Sequence, residues 1–329
     1  MERLKEGVVL GDGGYIVELE QRGHVVTGAF TPEVVIRHPQ AISELHYEMK
    51  NAGCEVLQVM AFYGSREKLA TVGYGDKTFE INQKATQLAR DVAGTDLLVA
   101  GDLSTTWKWK KGDKAAIKEV TAMFDEQLEA QKGVDFWIGE LFFDLGEALL
   151  CAERIKAKTK QPAMITMSIR GGTKTVDGYT AAECATQLKA AGVEIIGLNC
   201  MNDPEHMYPH IKAMRDAIDG YIAAQPVAYR CTDDTPWFTG QPAFPDKLET
   251  IQMDRYALGE FASKAKEMGV NYIGGCCGCK ATHMREMAKA LGKYKSDRVW
   301  NKQASAMSET EYSGKHRAEV EAKRKSAKK

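Results

Sequence analysis

The sequence predicts an α/β protein, a (β/α)8 TIM barrel with a charged C-terminal extension, and three observations carry that expectation. Short apolar runs alternate with amphipathic stretches from one end of the chain to the other. The alternation repeats eight times, and each unit is too small to form a domain alone. Reactive side chains gather at the C-terminal ends of the apolar runs, where such a barrel builds its active site. An open doubly wound sheet is the alternative arrangement of the same units.

The expected strands are Val8–Asp12, Glu55–Phe62, Leu97–Leu103, Phe136–Leu141, Ala163–Ile169, Ile195–Cys200, Pro226–Cys231 and Tyr272–Cys277. Helical periodicity lies between them over Ala41–Ala52, Ile81–Val92, Ala115–Ala130, Leu145–Ala157, Thr180–Ala191, Pro204–Ala217 and Asp254–Met268, with a last helix over Thr282–Leu291. Thr180 with Glu183 three residues on makes a capping box, and Pro204 after Asp203 is a first-turn proline. Gly53, Gly192 and Gly269 stand where left-handed caps end helices. Two nucleotide-binding patterns fail. Gly11-Asp12-Gly13-Gly14 has no glycine three beyond Gly13, and Gly171-Gly172-Thr173-Lys174-Thr175 lacks the lysine directly after its last glycine.

At 329 residues the chain exceeds the about 250 of a typical barrel. The composition places the excess at the end: residues 1–292 form the expected barrel, and residues 293–329 a charged tail or oligomerisation arm. Like-charge runs such as Lys323-Arg324-Lys325 are ordinary in tails, and a formal net charge of −1 with a pI near 6.7 gives no basic field for nucleic acid or an anionic membrane. Hydrophobic content is 44%, no apolar run approaches the ~18 residues of a membrane span, and the first residues lack the apolar segment of a signal peptide. The expectation is a cytoplasmic protein and a homo-oligomer, with neither membrane nor nucleic acid as partner.

Eight cysteines in a long chain without an export signal are expected to stay reduced. Cys54, Cys151 and Cys184 fall in apolar helical surroundings and read as small core hydrophobes. Cys276 and Cys277 are different. They sit between glycines in Gly274-Gly275-Cys276-Cys277-Gly278, at the end of an apolar run, and Cys200 ends a similar run. Three thiolates on two strand ends would give zinc three protein ligands and an open fourth position, as in catalytic sites. Cys231 and Cys279 stand in reserve as ligands, and an unreactive buried pair or a vicinal disulfide is the other reading of Cys276-Cys277. Asp12, Phe62-Tyr63 and Glu140 end other strands of the same expected mouth.

Gly11-Asp12-Gly13-Gly14, Gly197-Leu198-Asn199-Cys200 and Gly274-Gly275-Cys276-Cys277-Gly278 resemble the signature segments of homocysteine S-methyltransferases. Arg22-Gly23, Thr31-Pro32-Glu33, Phe62-Tyr63, Val134-Asp135-Phe136, Gln225-Pro226-Val227-Ala228-Tyr229 and Arg255-Tyr256-Ala257 bring the resemblance to the betaine–homocysteine type, over about residues 11–291. The resemblance implies that Cys200, Cys276 and Cys277 hold Zn2+ and that the homocysteine sulfur, as thiolate, takes the open position. It implies that Asp12 and Glu140 meet the homocysteine ammonium, with the amides of Gly13 and Gly14 toward its carboxylate. The catalytic nucleophile is then the substrate thiolate rather than a protein group.

For the methyl donor it implies an onium compound in an aromatic pocket, with Phe30 and Tyr63 at matching positions and Phe62, Leu141 and Phe142 beside them. Phe30 stands where glycine-betaine enzymes are expected to carry tryptophan, and Leu141 where they carry tyrosine. Those departures leave room for a sulfonium donor, such as dimethylsulfoniopropionate, S-methylmethionine or S-adenosylmethionine, or for a bulkier betaine. Folate- and cobalamin-dependent synthases need further domains that this length does not hold. A protein of another class, a non-catalytic zinc or thiol redox sensor, would also use the three thiols.

Overall fold

Eight parallel strands follow one another around a barrel: β1 (Val9–Leu10), β2 (Val56–Gln58), β3 (Leu98–Ser104), β4 (Phe136–Phe142), β5 (Ala163–Met167), β6 (Ile195–Asn199), β7 (Tyr221–Gln225) and β8 (Tyr272–Ile273). They pair in the order β1-β8-β7-β6-β5-β4-β3-β2. Glu55 N–H donates to Leu10 O at 2.9 Å and bridges the remaining gap between β1 and β2. This computed structural model describes residues 1–25, 28, 30–294 and 309–326. Met1–Tyr294 form one compact unit and Lys295–Lys329 a second. Within the second, Glu309–Ser326 are helical, and residues 314–326 are exposed.

Helices follow the strands: α1 (Pro39–Ala52), α2 (Thr78–Ala93), α3 (Lys114–Ala130), α4 (Leu145–Lys158), α5 (Ala181–Ala190), α6 (Pro204–Ala217), α7 (Arg255–Glu267) and α8 (Ala281–Ala290). Local chemistry starts them. Asp113, Asp144, Asp203 and Asp254 accept first-turn N–H groups, and Thr180 with Glu183 closes the capping box. Gly53, at φ 101°, ends α1. Cys54, Cys151 and Cys184 are buried, as small core residues. No helix among the described residues is long and apolar enough to cross a membrane.

The barrel interior changes character from bottom to top. Val9, Val56, Ala100, Ile138, Met164, Ile195, Ala223 and Tyr272 form an apolar cluster inside it, together with Leu4. Alternate residues on a strand face the same way. One pleat further along, therefore, the inward positions are Gln58 on β2, Asp102 on β3, Glu140 on β4 and Thr166 on β5. Gln225 on β7 follows the same rule, and Asn199 lies two pleats beyond Ile195 on β6. All six are buried and polar. The lower layer holds the barrel together, and the upper layer makes a polar floor for whatever binds at the mouth.

Strand seven differs from its expectation. It is Tyr221–Gln225, in register with β6 from Ile195↔Tyr221 to Asn199↔Gln225, and not Pro226–Cys231. Both runs are apolar, but proline has no N–H for a central ladder. Pro226–Cys231 forms instead the loop beyond the strand: Val227 N–H donates to Asn202 O and Ala228 N–H to Cys277 O. Strands β1, β2 and β8 are also shorter than expected, because their ends leave the ladder to build the mouth.

Close packing between β6 and β7 gives a test. A Cβ on Gly197 would lie 2.1 Å from Ala223 O, and backbone cannot yield as a side chain can. Gly197→Ala is expected to cost about 3 kcal/mol or more in thermal or denaturant unfolding, whereas Gly314→Ala, with open space around its Cβ, should leave barrel stability unchanged.

Candidate active site

Main-chain bonds beyond the strand ends bring the thiols together. Gly275 N–H donates to Asp12 O, Cys276 N–H to Pro226 O and Cys200 N–H to Gln225 O, each at 2.9 Å. The Sγ atoms of Cys200, Cys276 and Cys277 consequently lie within 4.8 Å of one another, with Cys200 and Cys277 at 3.8 Å. A tetrahedral ion with metal–sulfur bonds of about 2.3 Å sets its sulfurs about 3.8 Å apart, so this donor set fits such an ion. It is the one group of three metal-ligating side chains at this spacing among the described residues. Cys279 lies outside it, its thiol directed at Pro226 O at 3.5 Å. Cys231 sits on the loop past β7, its N–H bonded to Asp203 Oδ2.

Glycines let this backbone close up. A Cβ on Gly14 would lie 2.5 Å from Cys276 O, and one on Gly13 2.2 Å from Cys279 O. Packing explains Gly13-Gly14 more directly than a carboxylate nest does. The Gly14 N–H is already spent on Cys279 O at 3.0 Å, while the Gly13 N–H has no partner among the described residues.

The thiols open onto a cavity with about 550 Å³ of empty space, part of it continuous with solvent. Gly13, Gly14, Gln58, Phe62, Asp102, Glu140, Leu141 and Asn199 also line it. Glu140 accepts from Gln58 Nε2 at 2.8 Å and from Asn199 Nδ2 at 2.6 Å. Asn199 joins the acid to the thiol cluster: its Nδ2 also approaches Cys276 Sγ at 4.0 Å, and its Oδ1 accepts from Leu141 N–H and Thr166 Oγ1. Asp12 stands one layer back. Its Oδ2 accepts from Tyr15 OH at 2.5 Å and Gln58 N–H at 2.7 Å, and Tyr15 OH in turn meets His46 Nδ1 at 3.0 Å.

Burial raises all three carboxyls above the usual range: Asp12 to about 6, Glu140 upward, and Asp102 well upward, with Glu140 adding to the push on Asp102. Sequence reasoning missed Asp102, Gln58 and Asn199 as a set. The signal that finds them is the inward alternation of the barrel strands.

The aromatic candidates divide. Phe62 and Leu141 line the cavity. Tyr63 packs on Phe62, with ring centroids 4.0 Å apart, and carries the Lys68 ammonium on its ring at 4.6 Å. Phe30 is half-buried and packs against the core without lining the cavity. Phe142 is fully buried against Phe124 and does not reach the cavity. A register shift between Gly139 and Phe142 breaks the alternation there. Phe143 is buried 5.5 Å from Trp107, which is in turn 6.3 Å from Tyr63, and none of these three rings lines the cavity. Trp107 is 53% exposed.

Backbone strain follows the same map. Among the described residues the left-handed region holds six that are not glycine: Phe30, Tyr63, Trp107, Leu141, Cys200 and Met201. Bulky side chains rarely adopt it, at a cost of about 1–3 kcal/mol each, and such residues cluster at functional sites.

A family model described as homocysteine S-methyltransferase matches residues 9–291, nearly the whole barrel. The chain belongs to the homocysteine S-methyltransferase family. Members of this family are enzymes that move a methyl group onto the sulfur of homocysteine, forming methionine. The chain is 38% identical over 305 residues to betaine–homocysteine S-methyltransferase 1 of Mus musculus, covering 88% of this chain and 74% of the relative. It is 37% identical over 303 residues to S-methylmethionine–homocysteine S-methyltransferase BHMT2 of Pongo abelii, covering 88% and 80%. The metallated homocysteine methyltransferase MmuM of Escherichia coli superposes with a TM-score of 0.70 at 18% identity, over 86% of this chain and 96% of that one, a likeness of fold.

The Asp12 environment predicts a pH effect. Its pKa is about 6 in the fold and about 3.9 unfolded, so the folded state holds the proton more tightly. The associated stability is fully present below about pH 4 and is lost as pH rises through 6. Relative to Asp12→Asn, wild type should lose up to about 3 kcal/mol of unfolding free energy between pH 4 and 7. A pH-independent difference in denaturant titrations contradicts this.

Proposed function

We propose that this chain is a zinc-dependent methyltransferase that makes methionine from homocysteine and a small onium donor, a betaine or a sulfonium. One observation carries the proposal: three sulfurs at metal-ligand separation open onto a cavity whose floor is lined by carboxyls and amides. Cys200, Cys276 and Cys277 would hold zinc, which suits three thiolates and keeps a position open for a substrate sulfur. A bound zinc supplies acidity, lowering the pKa of a coordinated thiol from its free value of about 8.5.

The other roles fall to the chain. Glu140, held by Gln58 and Asn199, and Asp12 behind it present negative charge to the acceptor's ammonium. The Gly13 N–H is the free backbone donor for its carboxylate. Phe62 and Leu141 shape the donor side, with Phe30, Tyr63 and Phe142 in the surrounding shell, Trp107 beside Tyr63 and Phe143 beside Trp107. Aromatic faces attract an onium cation. In the transfer a carbon–sulfur bond forms at the acceptor sulfur while the donor's bond to its methyl breaks. The bonding pair stays with the donor nitrogen or sulfur, which leaves neutral. Positive donor and negative acceptor merge charge in that step, so a site shielded from water favours it.

Overall identity does not choose the donor, since relatives named for betaine and for S-methylmethionine stand at 38% and 37%. We place the protein in the cytoplasm, where its free cysteines remain reduced.

Methionine formation from homocysteine, measured against glycine betaine, dimethylsulfoniopropionate, S-methylmethionine and S-adenosylmethionine, tests the reading. Activity is expected with a betaine or small sulfonium. Activity with S-adenosylmethionine alone rejects the small-onium assignment. Cys276→Ala should lose both bound zinc and methyl transfer, while Cys231→Ser keeps both; retention of both by Cys276→Ala rejects the ligand set.

A further inference from the structure

Asp102 is the carboxyl that the reading above leaves without a task. It lies on β3 between Gln58 of β2 and Glu140 of β4, is 1% exposed, and lines the same cavity as the three thiols. Its backbone is held from behind: Asp102 N–H donates to Gln131 Oε1 and Asp102 O accepts from Gln131 Nε2, both at 2.8 Å. The side chain therefore has little freedom to turn away.

The acids of this site are not equally provided for. Both oxygens of Glu140 accept amide hydrogens, and Asp12 Oδ2 accepts two donors. Gln58, Glu140 and the Ala61 N–H stand close enough to act on the Asp102 carboxyl, but its Oδ1 is buried with no hydrogen-bond partner among the described residues. No lysine or arginine among the described residues lines the cavity. An unsatisfied buried carboxyl is costly, and a fold retains one when a ligand completes it. What it lacks is an N–H donor carrying positive charge. An onium head offers methyl groups and no N–H, so it does not meet that need; a primary ammonium does.

We propose that Asp102 is a third acidic residue of the acceptor subsite, its Oδ1 accepting a hydrogen bond from the α-ammonium of the acceptor amino acid beside Glu140. The inference rests on the proposed acceptor and sharpens it: the site selects a thiol that bears an ammonium over one that bears only a carboxylate. Burial and the neighbouring Glu140 push the Asp102 carboxyl upward, and an arriving cation favours its ionised form, any proton released passing to solvent.

The test is calorimetric binding to the zinc-loaded full chain without donor, using L-homocysteine and 4-mercaptobutanoate, which keeps the thiol and carboxylate but lacks the ammonium. Asp102→Asn should weaken homocysteine binding about tenfold or more, the effect of losing a charge-assisted hydrogen bond. It should change 4-mercaptobutanoate binding less than twofold. Because the substitution replaces a fully buried acid with a neutral amide, the melting temperature of the ligand-free protein should hold or rise. Equal weakening for both thiols, or no change for homocysteine, overturns the role of Asp102. If Asp102→Asn unfolds, Asp102→Ser serves the same comparison. Failure of wild type to bind either thiol overturns instead the acceptor assignment on which the inference rests.

Discussion

The three sulfurs meet because the backbone beyond β8 stays hydrogen-bonded after its ladder has ended. Strand β8 is paired only through Tyr272 and Ile273, yet Gly274, Gly275 and Cys276 each donate to a neighbouring segment: Ala224, Asp12 and Pro226. Ala228 returns a bond to Cys277 O. These contacts tie the ends of β1, β7 and β8 into one piece, and Cys200 joins through Gln225. Glycine is required where the strands come this close, since a Cβ on Gly14 would strike Cys276 O and one on Gly278 would strike the Tyr229 ring. The three-sulfur cluster is thus a property of main-chain geometry, with the side chains only completing it.

Above that set the barrel places polar groups by simple alternation. The apolar layer from Val56 to Ala223 makes the next inward layer available to Gln58, Asp102, Glu140 and Gln225, and Asn199 stands beside them on β6. Such groups are stable in a buried layer only when they satisfy one another or a ligand. Glu140, Gln58 and Asn199 do the first. The left-handed residues express the same constraint in the backbone: Tyr63, Trp107, Leu141 and Cys200 hold costly conformations at or just beyond the ends of β2, β3, β4 and β6.

Much of this is legible in the sequence. Eight alternations, caps such as Thr180–Glu183, and the glycine-flanked Cys276-Cys277 are local patterns, and each has a local physical cause. What escaped depends on contacts between distant segments. Tyr221–Gln225 and Pro226–Cys231 are equally apolar, and pairing with β6 decides between them. Phe142 turns into the core, where a register shift that composition does not announce breaks the strand alternation. Asp102 reads as one more residue in a buried strand until its inward neighbours are known. Trp107 lies in a loop with no periodicity to place it.

The proposed chemistry requires an open three-sulfur metal centre that accepts the substrate thiol. Zinc-edge X-ray absorption on the zinc-loaded protein, before and after homocysteine, measures this directly. Three sulfur neighbours at about 2.3 Å should become four when homocysteine is added. Four protein sulfurs before addition, or a coordination shell that homocysteine leaves unchanged, would contradict it.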